Sequence, residues 1–195
     1  MNPIKMFGLA ALAALMAMAF VGVNSAMGEE TALCKADENP CAAGNIFTHV
    51  HEISIGKAKF LSSVPVECDV LFLGDTESLG NPLFIEGAFT YTNCGSCTVT
   101  EENGPSQIGV LKYEHEKAFE VIEFLVYINC SGFIKCRYLG EGLEGIAIGP
   151  LLSTQANGEV SYQGQELTWE SGPFCPKPVK LDMTTTPLVA TYISK

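Results

Sequence analysis

Glu-Phe-Leu-Val-Tyr-Ile-Asn-Cys-Ser-Gly-Phe-Ile-Lys-Cys-Arg-Tyr, residues 123–138, is the stretch on which the fold turns. An apolar run, 124–128, rich in β-branched and aromatic residues, enters Cys130, crosses Ser131-Gly132 and leaves through Cys136. Such residues suit a pleated, half-buried surface, and Ser-Gly suits a turn. The stretch reads as the core hairpin of a β protein, with Cys130–Cys136 stapling its turn. Arg137, the only arginine in the chain, has no structural role at this level.

The segment just upstream, 114–125, carries two signals. Its Glu, Lys and Ala are helix formers, and Ala118, Phe119, Ile122 and Leu125 would line one helical face. Its β-branched and aromatic content and the hairpin that follows favour strand, with room for a short helix near 114–122. Further out, alternation is clear. Val64, Val66, Cys68, Val70 and Phe72 share one face, as do Leu83, Ile85, Gly87, Phe89 and Tyr91. Pro65 belongs at a strand entry, because it cannot donate to a ladder. Residues 46–53 alternate without a purely apolar face and read as an edge strand. Shorter strands are expected at 57–61, 98–100, 108–113, 143–148, 151–155, 159–162, 166–170, 179–183 and 188–193. Gly80-Asn81-Pro82, Gly149-Pro150, Gln163-Gly164-Gln165 and Ser171-Gly172-Pro173 punctuate them, and Asn157-Gly158 signals a type I′ hairpin. The pattern predicts an all-β domain, an antiparallel β-sandwich or β-barrel of short strands.

Residues 1–28 have the layout of a signal peptide: Lys5, an apolar run over 7–23, then small residues ending at Ala26-Met27-Gly28. Residues 29–45 are polar and read as an N-terminal arm pinned by Cys34–Cys41, and 46–195 as a single β domain. No basic stop-transfer cluster follows the apolar run, so no membrane span is expected after cleavage. The formal charge of −11 becomes −12 without the leader, which holds one Lys and no acid. That balance repels nucleic acid and anionic membranes and suits an exported protein kept soluble by charge.

All eight cysteines lie beyond the leader. An even count behind an export signal reads as a disulfide framework, and eight cysteines allow 105 connectivities. Proximity in sequence pairs Cys34–Cys41, Cys94–Cys97 and Cys130–Cys136, which leaves Cys68–Cys175 as the long-range bridge.

Candidate chemistry is sparse. Cys94-Gly95-Ser96-Cys97 has redox spacing, but Thr98-Val99-Thr100 continues it as strand, where no helix dipole lowers a thiol pKa. A structural disulfide fits better than a redox centre or a zinc site. His49 and His51 would point to one face of a strand about 7 Å apart, close enough to share a metal. A third ligand would have to come from His115 or a distant carboxylate, so surface histidines are the plainer reading. No Gly-x-Ser-x-Gly elbow occurs. The carboxylates at Glu101-Glu102, Glu114/Glu116 and Glu120/Glu123 are sequence neighbours, which does not make a pair facing across a cleft. Asn129-Cys130-Ser131 matches a glycosylation triplet, but its Cys is required for a disulfide. Trp169, the only tryptophan, shares a face with Leu167 and reads as a core anchor.

Several short motifs sit on this framework: Ala32-Leu33-Cys34-Lys35 with Cys41, Ser96-Cys97-Thr98-Val99, and Asn129-Cys130 with Cys136. Gly172-Pro173-Phe174-Cys175-Pro176 and Ala190-Thr191-Tyr192-Ile193-Ser194 complete the set. In these the chain resembles a group of uncharacterised secreted proteins of soil actinobacteria. The resemblance implies a secreted β-rich module and no particular ligand. The expectation is therefore a non-enzymatic extracellular or envelope-associated protein, binding or structural, with no cofactor. The alternatives are a secreted hydrolase assembled from distant Glu, Asp and His residues, and metal capture by His49 and His51.

Overall fold

The structure is a computed structural model, and it describes residues 31–36, 38, 40–77, 79–80, 82–102, 106–114, 117–148, 159–189 and 191–194. The expected signal peptide, the strand at 151–155, the Asn157-Gly158 turn and His115 lie outside the described residues. Among the described residues twelve strands are formed: β1 (Thr31–Cys34), β2 (Val50–Leu61), β3 (Val66–Thr76), β4 (Leu79–Gly80), β5 (Leu83–Thr92), β6 (Cys97–Glu101), β7 (Ser106–Glu114), β8 (Lys117–Cys130), β9 (Ile134–Ile148), β10 (Glu159–Ser171), β11 (Val179–Pro187) and β12 (Tyr192–Ser194). One 3-10 turn, Ala43–Asn45, is the sole helical element among the described residues.

Eight strand positions close into an antiparallel barrel that follows the chain in order: β2, β3, β5, the β6–β7 pair, β8, β9, β10, β11 and back to β2. One position is shared. β6 pairs with β8 over Cys97–Glu101, and β7 pairs with its other half, so an excursion interrupts what is otherwise one strand. Closure removes the edge-strand problem altogether. Over residues 50–53 β2 is laddered with β3 alone, as an edge would be, and β11 joins its other side from Ser54 to Leu61.

The alternation read from sequence points into this barrel. Val66, Cys68, Val70 and Phe72 on β3, and Leu83, Ile85, Phe89 and Tyr91 on β5, are buried. Ile122, Phe124, Val126 and Ile128 on β8 face them. Eight strands enclose about the volume that side chains can fill. Phe89 packs edge-on to Phe124 at 6.1 Å and tilted on Phe72 at 5.1 Å, so aromatic rings occupy the waist. Gly74 and Gly87 stand directly opposite each other, and a Cβ on Gly87 would meet the Phe72 ring at 2.5 Å. Glycine here lets the ring lie flat against the wall.

The short helix near 114–122 is not formed. β7 runs to Glu114 and β8 starts at Lys117, with Glu114 opposite Lys117. The physical reason is closure: β8 bonds β6 and β7 along one edge and β9 along the other, and a helix could satisfy neither. Some expected breaks also vanish. Gln163-Gly164 is a bulge inside β10, where the register shifts between Tyr162 and Gln165 and Gly164 takes φ +60°.

The 131–133 turn is a hairpin between β8 and β9, with Ser131 and Gly132 at φ 53° and 75°. Three of the four expected disulfides are nevertheless different. Cys34–Cys41 is present. In place of Cys94–Cys97, Cys130–Cys136 and Cys68–Cys175, the bridges are Cys68–Cys94, Cys97–Cys130 and Cys136–Cys175. The cause is register. Cys97 lies directly opposite Cys130, with Cα atoms 4.1 Å apart, and Cys94 lands beside Cys68 at 4.3 Å. Cys136 faces Ile128, two places out of step with Cys130, and meets Cys175 from the β10–β11 loop.

The N-terminal segment is more than a pinned arm. β1 is the middle strand of a small sheet, β12–β1–β4, and all four of its residues are buried. This sheet covers one end of the barrel, and the three long-range disulfides ring the other.

Candidate functional surfaces

The covered end carries the interior polar groups. Glu52 on β2 and Glu120 on β8 both point inward there. With Thr76 they line a cavity of about 40 Å³ beneath Leu33, Thr191 and Ile193. Ser54 Oγ donates to Glu52 Oε1 at 2.6 Å, and Thr76 Oγ1 donates to Oε2 at 3.4 Å. Burial pushes the Glu120 carboxyl up to about 8, and the neighbouring Glu52 charge adds to the shift. The Tyr162 hydroxyl opposes it, lying close to Glu120 but outside good hydrogen-bond geometry. Burial also raises Glu52, against the hydrogen bonds from Ser54 and Thr76. Sequence proximity had paired Glu120 with Glu123, but Glu123 is on the outer face. The true neighbour, Glu52, lies across the barrel, where only closure could bring it.

Lower down, Glu101 turns inward at the β6–β7 split and accepts the Phe89 N–H on Oε2. Burial raises it to about 7, with the Phe89 bond opposing. Glu102 points outward to Arg137, whose Nε donates to Glu102 Oε2 at 2.6 Å. That ion pair accounts for the lone arginine.

The histidines sit outside the barrel near the same covered end. His49 Nε2 and His51 Nδ1 both approach one oxygen, Asp75 Oδ1, at 2.9 and 3.0 Å. These bonds hold the Asp75 carboxyl below its ordinary value, the His51 bond most. Asp75 is directly opposite His51 in the β2–β3 register, a partner that sequence could not place. Among the described residues no three His, Cys, Asp or Glu side chains are gathered so as to hold a metal ion.

The opposite end has another character. β2, β5, β8 and β10 run toward it, and the loops 62–65, 93–96, 131–133 and 172–178 turn the chain there. These loops contain no acidic residue, and Lys177 is their only charge. Each of the three long-range bridges has at least one cysteine in or beside one of these loops. Tyr138 Oη donates to Pro176 O at 3.0 Å, a further tie. A hollow of only about 20 Å³ lies between Val64, Ile134 and Pro176, which places three of the loops around one centre. Phe133 and Phe174 project outward and are 83% and 88% exposed, the highest values among the exposed large hydrophobic residues. Phe174 is held at φ 58°, an unfavourable conformation for an aromatic residue, between Pro173 and the bridged Cys175. Trp169 is not a core anchor. It is 38% exposed on the barrel wall, with Lys177 Nζ 3.2 Å above its ring centre. Sequence reading assigned Phe133 to the core hairpin and gave Phe174 no role. A Phe directly after Gly-Pro or Ser-Gly at a turn tip was the available signal.

The outer wall carries one broad open groove of about 790 Å³ beside Ile55, Lys57, Asp69, Leu71 and Leu188, where Lys57 is ion-paired with Asp69. The outer face is mixed: β2 and β3 turn Lys57, Lys59, Glu67 and Asp69 outward along with Ile55, Leu61 and Leu73. None of the helices among the described residues is long and apolar enough to cross a membrane. No family model, curated protein or solved structure matches the chain. The four disulfides fit an oxidising, extracytoplasmic location.

Proposed function

We propose that this is a secreted, non-enzymatic domain that binds an extracellular or envelope component through its disulfide-ringed end. The observation that carries this reading is the pair Phe133 and Phe174, 83% and 88% exposed on loops fixed by covalent bridges. Apolar side chains held out on a rigid frame are costly unless something covers them, and rigidity reduces the entropy lost on binding. The interior acids support hydrolysis less well. Glu52 and Glu120 line a cavity of about 40 Å³, room for water and not for a substrate. The test is capture by the envelope fraction of the producing cell. The purified, oxidised protein is expected to be retained, and the Phe133→Ala/Phe174→Ala double variant to be released with an unchanged melting temperature. Equal retention of both would refute the reading.

A further inference from the structure

From the loop end on which the proposed function rests, we infer that its occupant is an anionic lipid surface, with Phe133 and Phe174 entering the headgroup layer and Lys135 and Lys177 meeting acidic headgroups. Shape is the first reason. Small ligands are held in concavities. This end offers convex knobs around a hollow of about 20 Å³, a shape suited to a deformable surface. The two knobs are neighbours, because Cys136–Cys175 joins their loops with Cα atoms 5.6 Å apart. Val64, 41% exposed, lies across the same hollow and widens the apolar tip.

Charge is the second reason. The chain carries −11 overall, yet the four loops hold no acid. In the adjoining strand ends, Glu67 is paired with Lys59 at 3.2 Å and Glu166 stands opposite Lys180 in the β10–β11 register, which leaves Glu170 against the exposed Lys135 and Lys177. The acidic covered end is ~30–40 Å away along tilted strands. Charges are screened over ~8–10 Å at ordinary ionic strength, so a bilayer meeting the loops feels the lysines first. The remaining negative charge disfavours every other approach and orients the barrel loops-down. Apolar residues with flanking lysines are the composition of interfacial anchoring.

Co-sedimentation with vesicles tests this. Vesicles of mixed phosphatidylglycerol and phosphatidylcholine are expected to bind the oxidised protein, and pure phosphatidylcholine vesicles to bind it much less. Phe133→Ala/Phe174→Ala should weaken the interaction at least ~10-fold. Lys135→Gln and Lys177→Gln should each weaken it ~5-fold, an effect that raised salt removes. All four side chains are exposed, and a melting curve checks that each variant is folded. No binding to either vesicle, equal binding to both, or binding indifferent to the Phe pair overturns the proposal. If vesicles fail while envelope capture still depends on Phe133 and Phe174, the binding surface stands and its occupant is not lipid. If both fail, the surface itself is wrongly assigned.

Discussion

The two ends of the barrel solve the same problem, closing a tube of side chains, by opposite means. One end is covered by a small sheet and keeps carboxylates inside, Glu52 and Glu120, with His49, His51 and Asp75 on its rim. The other is apolar within, through Phe60, Val66, Val179 and Leu181, and is ringed by three disulfides. The difference teaches where constraint and tolerance lie. An interior end lined with acids depends on protonation and on its cover. The ringed end depends on covalent bonds and dry packing, and so can afford loops that display phenylalanine to the outside.

The sharpest way to break this contrast is at the dry end. Phe60 is 1% exposed and stacks edge-on to Tyr91 at 5.9 Å. Phe60→Ala should cost ~3–5 kcal/mol in denaturant unfolding of the oxidised protein. A loss below ~1 kcal/mol would mean that the bridges alone hold this end. The bridges come next. Cys97→Ala/Cys130→Ala opens a crosslink of sequence separation 33 and should cost ~3–4 kcal/mol. Cys34→Ala/Cys41→Ala, of separation 7 at the covered end, should cost ~2 kcal/mol. Reversal of that order would relocate the covalent support. Tryptic mapping without reduction checks the pairing itself: peptide 60–112 should be joined to 118–135. Release of 118–135 joined only to 136–137 would restore the Cys130–Cys136 pairing.

Protonation distinguishes the covered end. Glu120 holds its proton up to about 8 in the folded chain, against an ordinary 4.5. Its contribution to stability is fully present below about 4.5 and is lost as pH rises through about 8. The melting temperature should therefore fall between mildly acidic and mildly alkaline pH, and Glu120→Gln should flatten that slope. An unchanged slope would remove Glu120 from the interior. The smallest effect is expected on the exposed rim. The lowered Asp75 contributes stability above its ordinary 3.8 that is lost as pH falls through its lower folded value. Asp75→Asn should thus lower stability slightly at neutral pH and leave the acid end of the curve unchanged, and a loss that persists at the acid end would contradict this titration.

Much of the ringed end could be read from the chain, because local alternation carries it. Val66, Cys68, Val70 and Phe72 announced an inward face, and Ser131-Gly132 announced the hairpin. What could not be read was anything requiring a neighbour from elsewhere in the sequence. The helix formers in 114–122 compete locally with strand, and only the β9 and β7 edges decide between them. Gln163-Gly164 looks like a turn until β9 and β11 flank it on both sides. Glu120 resembles a solvated glutamate until Glu52 and the small sheet enclose it.

By itself, then, the sequence determined the all-β class, the inward faces of β3 and β5, and a framework of eight paired cysteines. Periodicity and composition are local properties, and each strand carries its own. The tertiary structure alone decided that the strands close, which cysteines meet, which acids are buried, and that Phe133 and Phe174 stand out at one end. Those outcomes depend on register between distant segments. A shift of one residue in register turns every side chain to the other face, and nothing within a single strand specifies what lies opposite.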